Sequence, residues 1–518
     1  MRTFRRNMLP AMFIAGLSCV SAPAAVSIRD FIPAERITAM EKVVSMRSTG
    51  TISVGGLTGD VEMVYAVPAM TYLTADLGIL QFAQGFDGFF AWARDQNNQV
   101  AELTGLDLRK VVNDAFVASQ SYVMDDRMPG VVEYVKDSSI GSSAYHIFFA
   151  LPEGGDSLWL FISYETGRVE ITREYLDELL IYTYYHDFRE VEGIDVAFRV
   201  TAESSNPLLN SIITINSVEI NIPVDRSLFA MATEIAIDYA FPRNVDSVVM
   251  TMNYINGFLL LEAEVIGGDS AVFILDSGAG MNVIDQSFAR RIGLEVTGEL
   301  PAKGVSGYEA AGITHIDSLD IGGVRLLHQK AAVFDFSNLN LRLPGKPGGI
   351  LGYDFLSRFP FRIDYRRRKF TIYHPEAFRP PDSNFAISFD LYMKIPVIAA
   401  EIEGCRGEFM VDLGNALGLI LHRRFTEHCN IREKLTDIKD MEHSVGGIGG
   451  TSQAYAATGH DLRFGAVEVK KVPLAVAGGD EGAFGSAELD GNIGNLLLEK
   501  FSVVLDYTSK TIYVLPEG

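Results

Sequence analysis

An aspartate in the second half of the chain stands where a carboxylate could do chemistry. Asp276 follows the apolar run 273–275, and Ser277 and Gly278 come directly after it. An apolar strand that ends in such a tight turn would hold the carboxylate on a rigid support. Asp, Ser and Gly also favour ordinary turns, so these three residues alone do not establish a site.

The same arrangement recurs later in the chain. Asp412 also follows an apolar run, and it precedes Leu413 and Gly414. An apolar segment that ends in glycine follows each aspartate loop, at Gly352 and at Gly494, and these two glycines are 142 residues apart. A repeat that keeps its spacing in this way predicts two duplicated structural units.

Two carboxylates on duplicated units could form one catalytic pair. When they lie a few ångströms apart they cannot both ionise, so one pKa rises and the pair shares a proton. The charged member can act as general base on a water molecule, and the neutral member can donate a hydrogen bond to a substrate carbonyl. We therefore expect Asp276 and Asp412 to be the catalytic residues. This chemistry needs no cofactor or metal, and we predict none.

The residues around both aspartates resemble those of the aspartic proteases of the retropepsin and pepsin type. The resemblance covers roughly the last half of the chain. It implies two β lobes that supply one aspartate each, with a peptide or protein substrate in the cleft between them, under a flap. The supporting residues that it implies are Ser277, Gly278, Gly414, Gly352 and Gly494. The flap candidates are Gly307, Tyr308 and Gly449.

The second motif departs from the family pattern. In the family, a hydroxyl after each aspartate bonds across to the other loop; Ser277 can form this bond, and Leu413 cannot. Asn415 also stands where the first lobe keeps Ala279, and its amide could supply part of the bracing. Two hypotheses follow: an exported aspartic endopeptidase, or a binding protein that keeps the cleft without catalysis.

The first half of the chain predicts a separate β domain. Apolar positions at Ile37, Met40, Val43 and Val44 predict a helix over 34–48. Short apolar runs follow, many about ten residues apart with turn signals between them, which is typical of an antiparallel sheet or half-barrel.

The order of parts in this half resembles the lipoprotein-carrier (LolA-like) fold. A helix leads into strands, a stretch from Gly85 to Trp92 follows, and the segments 164–167 and 187–193 come later. The resemblance implies a curved sheet that holds a hydrophobic ligand or a protein segment. A third hypothesis is therefore a lipid or lipoprotein carrier, in which the second half is structural.

The expected fold class is mainly β, with an N-terminal curved antiparallel sheet and helices followed by a bilobal, acid-protease-type pair of β-barrels. A linker with Pro242 breaks the periodicity near residue 238. The expected parts are a signal peptide over 1–24, a LolA-like accessory domain over 25–238, lobe 1 over 247–378 and lobe 2 over 384–518.

The N-terminus predicts export. A basic start with Arg2, Arg5 and Arg6 precedes an apolar run over 8–20, and the small residues 22–24 suit a cleavage site. The run is too short to span a bilayer comfortably, and no later segment has the roughly 18 apolar residues that a membrane span needs. We expect a periplasmic protein without an integral membrane span once the signal is removed.

The net charge and the cysteines bear on which molecules the protein can bind and on which cellular compartment it occupies. The formal net charge of −22 gives a surface that repels nucleic acid, so no nucleic-acid partner is expected. Cys405 and Cys429 remain after signal removal and flank the second aspartate loop. An oxidising compartment would permit a disulfide between them, and two free buried thiols are the alternative.

Overall fold

The structure is a computed structural model. It describes residues 26–232, 237–265, 268–304, 307–339, 341–440, 445–447, 450–479, 482–486 and 488–516. The predicted signal peptide over 1–24 and the flap candidate Gly449 lie outside the described residues. Strands dominate the described residues, which confirms the expectation of a mainly β protein.

The N-terminal domain is a thirteen-stranded antiparallel sheet with two helices packed against it. The helices are α1 (Ala34–Met40) and α2 (Gly105–Ala118). Strands β1–β13 are, in chain order, Ser45–Val54, Leu57–Ala66, Met70–Asp76, Gln81–Phe86, Ala91–Arg94, Val100–Glu102, Gly130–Ile140, Ser143–Pro152, Leu158–Ser163, Val169–Leu176, Leu179–Val191, Ile194–Ser204 and Ser211–Ile220. The first six strands run outward from β1 and the last seven outward from β13, and β1 and β13 pair in the middle.

The predicted helix over 34–48 is wrong in its second half. Helix α1 ends at Met40, and β1 begins at Ser45. Strand β1 pairs along its whole length with β2 on one side and with β13 on the other. Ladder hydrogen bonds on both sides outweigh a local helical spacing, and β-branched residues such as Val43 and Val44 also favour extended backbone.

The stretch from Gly85 to Trp92 contributes to packing within the N-terminal domain. Gly85 lies opposite Trp92 on the neighbouring strand, and a Cβ at Gly85 would lie 2.4 Å from the indole Nε1. That Nε1 donates a hydrogen bond of 2.8 Å to the backbone carbonyl of Phe229, which is fully buried. The motif therefore ties the sheet to the last turn of the domain.

The second half folds into two lobes in which the equivalent strands follow the same order, and lobe 2 has an additional strand pair, β32 (Val445–Gly447) and β33 (Gly450–Ser452). In lobe 1, strands β14–β25 are Tyr239–Ala240, Ser247–Thr251, Asn253–Ile255, Phe258–Val265, Asp269–Leu275, Val283–Asp285, Thr297–Gly304, Gly307–Ile321, Val324–Phe334, Gly349–Leu351, Phe361–Asp364 and Lys369–Tyr373. Its helices are α3 (Gln286–Arg291) and α4 (Tyr353–Leu356).

In lobe 2, strands β26–β38 are Ala386–Ser388, Asp390–Tyr392, Ile395–Ile402, Cys405–Val411, Leu419–Leu421, Thr436–Asp440, Val445–Gly447, Gly450–Ser452, Ala454–Phe464, Val467–Ala477, Gly491–Ile493, Phe501–Asp506 and Thr511–Pro516. Its helices are α5 (Arg423–His428) and α6 (Asn495–Leu498).

Each lobe contains a six-stranded ring of paired strands. In lobe 1 the ring runs β17-β18-β23-β19-β22-β21 and closes where β21 pairs with β17. In lobe 2 it runs β28-β29-β36-β30-β35-β34 and closes where β34 pairs with β28. The two rings use equivalent strands in the same order, so the duplication predicted from the sequence is a duplication of the fold.

A six-stranded sheet joins the two lobes. Its order is β15-β25-β24-β37-β38-β26, and the two halves come from different lobes. The central strands β24 and β37 are antiparallel, with Phe361 opposite Leu505 and Asp364 opposite Ser502. This shared sheet fixes the lobes against each other, and the expected bilobal architecture is confirmed.

A disulfide constrains lobe 2 at the start of the strand that leads to its aspartate loop. It joins Cys405, at the start of β29, to Cys429, at the end of α5, with their Cα atoms 6.0 Å apart. Strand β29 leads directly into Asp412. The bond closes a loop of 24 residues and so restricts the unfolded chain.

The N-terminal domain docks on both lobes. An apolar cluster joins its sheet, through Ile52 and Leu77, to Ile313 of lobe 1. Arg109 of α2 lies 2.7 Å from Glu488 of lobe 2 in an ion pair. Among the described residues, no helix is both long enough and apolar enough to cross a membrane.

Candidate active site

The two aspartates occupy equivalent places in the two lobes. Strand β18 runs parallel to β23, and the backbone N–H of Asp276 donates a hydrogen bond of 3.0 Å to the carbonyl of Leu351. Strand β29 runs parallel to β36, and the N–H of Asp412 donates one of 2.9 Å to the carbonyl of Ile493. Each apolar segment that ends in glycine therefore supports the loop of its own lobe.

The two carboxylates face each other, and the backbone of each loop comes so close to the opposite carboxylate that only glycine fits there. A Cβ at Gly414 would lie 2.4 Å from both carboxylate oxygens of Asp276, and a Cβ at Gly278 would lie 2.6 Å from Oδ1 of Asp412. Each glycine N–H also donates to the aspartate of its own loop, at 2.7 Å for Gly278 and 2.9 Å for Gly414. The structure thus brings the predicted catalytic pair together in one site.

Close contact and burial change the acidity of this pair. Burial and the neighbouring charge of Asp412 raise the pKa of Asp276 well above its usual range. Burial also raises the pKa of Asp412, against the lowering effect of hydrogen bonds from Gly414 and Asn492. Each side chain keeps part of its surface accessible to solvent. Such a pair binds one shared proton over the pH range between its two ionisations.

Ser277 forms two hydrogen bonds that cross between the aspartate loops. Its hydroxyl donates to the backbone carbonyl of Val411 at 2.6 Å and accepts from the N–H of Leu413 at 2.9 Å. Ser277 is fully buried, as is the apolar side chain of Leu413. Asn415 does not replace the missing hydroxyl, because its Oδ1 accepts from Leu417 within its own loop.

Asn495 supplies a second brace that the sequence analysis missed. Its Nδ2 donates to the carbonyl of Leu413 at 2.6 Å and to the carbonyl of Gly257 in lobe 1 at 2.8 Å. Its Oδ1 accepts from the hydroxyl of Tyr365, also in lobe 1. The sequence offered one signal for this role. Asn495 directly follows Gly494, whereas the equivalent position of the first repeat, after Gly352, is Tyr353.

Only glycine fits at Gly352 and at Gly494, because the backbone of the aspartate loop passes close to both positions. A Cβ at Gly352 would lie 2.4 Å from the carbonyl oxygen of Met281, and one at Gly494 would lie 2.4 Å from that of Leu417. Any side chain at these positions would push the aspartate loop out of place.

Two polar residues of lobe 2, also missed from the sequence, stand behind Asp412. Asn492 donates from Nδ2 to Oδ2 of Asp412 at 3.1 Å. His422 lies next to Asn492, with its Nε2 2.9 Å from the amide Oδ1. The sequence signal for Asn492 was a polar residue in the apolar segment that ends in glycine, at the position where lobe 1 has Ile350.

The flap candidates Gly307 and Tyr308 begin β21, in a hairpin with β20. The hydroxyl of Tyr308 donates to Glu178 of the N-terminal domain at 3.4 Å. Lys303, opposite Tyr308 in the hairpin, lies 2.7 Å from Asp177 and 2.8 Å from Glu178. The structure therefore places the hairpin against the turn between β10 and β11.

One group of side chains on lobe 1 has donor atoms suited to a metal ion. His315, Asp317 and His328 offer ligand atoms that lie within 4.8 Å of one another. The amino group of Lys330 lies 3.2 Å from Nδ1 of His315, and a cation bound there would have to displace it. The two histidines and Asp317 belong to β21 and β22, on strands that do not carry the aspartate pair.

The role of Ser277 can be tested through stability. Ser277→Ala should lower the free energy of unfolding by about 1–3 kcal/mol, because it leaves the buried N–H of Leu413 without an acceptor. Ser277→Thr keeps the hydroxyl and is the matched control. Urea unfolding measures both; an alanine variant as stable as the threonine variant would contradict the assigned role.

Comparison with solved structures gives distant similarities. A DUF1329 family protein from Desulfovibrio piger is 10% identical with a TM-score of 0.30, over 39% of this chain and 95% of its own. A LolA superfamily protein from Nitrosomonas europaea is 10% identical with a TM-score of 0.29, over 40% of this chain and 98% of its own.

No curated protein matches this sequence. A family model does: residues 261–355, which include Asp276, Ser277 and Gly352, match the aspartyl protease family. The match ends before the second aspartate loop. It confirms, for the first lobe, the resemblance to aspartic proteases that the sequence predicted.

Proposed function

We propose that this protein is an exported aspartic endopeptidase that hydrolyses peptide bonds with a water molecule activated between Asp276 and Asp412. The observation that carries the proposal is the contact between two carboxylates from equivalent loops, which hydrogen-bond to each other while Gly278 and Gly414 pack against the opposite carboxylate. Raised pKa values at both aspartates support a pair that holds one proton. The disulfide between Cys405 and Cys429 suits an oxidising compartment.

In this mechanism the charged aspartate removes a proton from water as the oxygen attacks the scissile carbonyl carbon. The neutral aspartate donates a hydrogen bond to the carbonyl oxygen, on which negative charge develops. Collapse of the tetrahedral intermediate breaks the C–N bond, and the leaving amine takes up the proton that the charged aspartate removed from water. Both carboxyl groups return to their starting state, so no covalent enzyme intermediate forms.

Binding without catalysis is the second candidate, and the observation that favours it is Leu413. The first loop reaches across to the second through a hydroxyl, whereas the second loop has an apolar side chain buried in the core at that point. If the braces from Ser277 and Asn495 leave the carboxylates too mobile, the cleft would bind peptides without cleaving them.

Cleavage of a broad peptide library by the full chain separates these candidates. We expect cleavage that pepstatin inhibits, and Asp276→Asn and Asp412→Asn should each abolish it because both carboxylates are needed. The activity should decline as the pH rises through the raised pKa of Asp276, since the shared proton is then lost. Assays from about pH 4 to about pH 7.5 cover a range in which carboxylate pairs of this kind titrate.

Two outcomes of this assay would contradict the proposal. One is cleavage that persists in either asparagine variant. The other is a folded wild-type protein that binds library peptides and cleaves none of them across the whole pH range, which would establish the binding function instead.

The N-terminal domain restricts access to the cleft in this proposal. Asp177, at the turn between β10 and β11, accepts hydrogen bonds from Lys303 of the flap hairpin and from the Tyr392 hydroxyl of lobe 2, both at 2.7 Å. The side chains of Asp177 and Lys303 are 4% and 10% exposed. One turn of the N-terminal domain therefore links the hairpin of one lobe to the other lobe.

Removing this link should open the flap. We expect the double variant Asp177→Ala, Glu178→Ala to raise kcat/KM for peptides, by about tenfold for each ~1.4 kcal/mol by which the closed hairpin loses stability. Asp187→Ala, which removes an exposed ion pair on the same strand β11, is the control and should leave kcat/KM unchanged. An unchanged kcat/KM in the double variant would show that this turn does not limit access.

A further inference from the structure

The two aspartates of the pair have different surroundings on the side away from their glycine N–H groups. In lobe 2, Asn492 of β36 lies next to Met410 of β29 and reaches Oδ2 of Asp412. In lobe 1, the equivalent residue of β23 is Ile350, which pairs with Ile274 and has no polar group. The duplicated fold is therefore chemically asymmetric at the reacting carboxylates.

The amide of Asn492 is oriented by a histidine. His422, which precedes α5, is fully buried, and Asn492 is 6% exposed. The Nε2 of His422 lies 2.9 Å from Oδ1 of Asn492, and Nδ1 lies 3.2 Å from the carbonyl oxygen of Leu489. Amide and carbonyl oxygens can only accept, so the neutral ring, with one N–H, can donate to only one of these two oxygens. We assign the proton to Nε2, because Oδ1 of Asn492 is the closer acceptor. The amide nitrogen then points at Asp412.

Burial keeps His422 neutral over most of the pH range, against the hydrogen bonds to Leu489 and Asn492, which favour the charged ring. Asp412 faces it through Asn492, the positive charge of Lys303 from the flap hairpin acts on it, and the Phe484 ring lies 5.4 Å from the imidazole. Burial lowers the pKa of His422 to about 4. Below that value the ring gains a second proton on Nδ1, which then donates to Leu489. In both states, Nε2–H holds the amide in the same orientation.

We propose that His422 and Asn492 are positioning residues that keep Asp412 as the ionised member of the catalytic pair and leave the shared proton on Asp276. A carboxylate is stabilised in its charged form by a donated amide hydrogen bond, and Asn492 provides that bond only to Asp412. This inference rests on the proposed function for its catalytic meaning: Asp412 acts as the general base, and Asp276 donates to the substrate carbonyl.

The order of ionisation can be measured without any cleavage assay. The Cγ signals of 13C-labelled aspartates report each carboxyl group directly, and Asp276→Asn and Asp412→Asn assign the two signals. In the full wild-type chain we expect the Asp412 signal to titrate at lower pH than the Asp276 signal. Asn492→Leu should move the Asp412 titration upward by about one pH unit, because the stabilising donor is lost.

The histidine is tested by a matched pair of variants. His422→Leu should shift the Asp412 titration in the same direction as Asn492→Leu, since the amide is then free to turn. His422→Gln keeps an N–H donor near the position of Nε2, and it should restore the wild-type titration. Ile350→Val alters the equivalent position of lobe 1 without adding a polar group, so it should change neither signal.

A reciprocal variant keeps the test decisive if a buried substitution in lobe 2 prevents folding, which thermal unfolding by circular dichroism would reveal. Ile350→Asn places an amide beside Asp276 and should lower the pH at which Asp276 titrates. The inference is overturned if Asp276 ionises first in the wild type, or if Asn492→Leu and His422→Leu fold and leave the Asp412 titration unchanged.

The results also separate this inference from the proposed function. If Asp412 ionises first and depends on Asn492 while no peptide is cleaved, the positioning pair stands and the protease proposal fails. If peptides are cleaved but the order of ionisation is reversed, the protease proposal stands and the positioning pair fails.

Discussion

The contact between two carboxylates across a pair of glycines is the constraint on which the rest of the second half depends. Gly278 and Gly414 have no Cβ, and a Cβ at either position would collide with the aspartate of the other loop. The repulsion that follows from this contact has to be balanced by structure elsewhere. The shared six-stranded sheet and the parallel strands beneath each loop hold the loops in place against it.

The duplicated fold makes the two aspartate loops equivalent in position, but individual residues make their surroundings different. Ser277 braces the loops from one side only, and Leu413 fills core volume on the other. Asn495 recovers part of the missing brace by joining Leu413 to Gly257 of lobe 1. Asn492 makes the environment of Asp412 polar where lobe 1 is apolar. The absence of a hydroxyl at Leu413 therefore coincides with amide side chains in lobe 2 that reach the second aspartate loop, at Asp412 and at Leu413.

The repeat was predictable from sequence because its spacing and its glycines survive in both lobes. Gly352 and Gly494 keep an interval of 142 residues, and each is needed where loop backbone passes within van der Waals distance. The local helix over 34–48 was not predicted correctly, because pairing of β1 with strands distant in sequence decides its conformation. Asn492, Asn495 and His422 were missed for the same reason: their role depends on partners about 70 to 240 residues away.

The contact between the N-terminal domain and the lobes also could not be predicted from local sequence patterns. Asp177 belongs to a turn with no motif, and its partners Lys303 and Tyr392 lie in different lobes. Only the folded arrangement shows that the N-terminal domain reaches the hairpin of β20 and β21. In the proposed function, this contact makes the N-terminal domain part of how the cleft is closed.

The central claim is that the two aspartate loops form one site. Calorimetric binding of pepstatin to the full chain tests it most directly, because this inhibitor places a hydroxyl between the two carboxylates and needs no turnover. We predict binding of one pepstatin per chain, weakened at least about tenfold by Asp276→Asn and by Asp412→Asn alike, a loss of ~1.4 kcal/mol or more in binding free energy. Binding that is insensitive to Asp412→Asn, or no binding by the folded wild-type protein, would contradict the account.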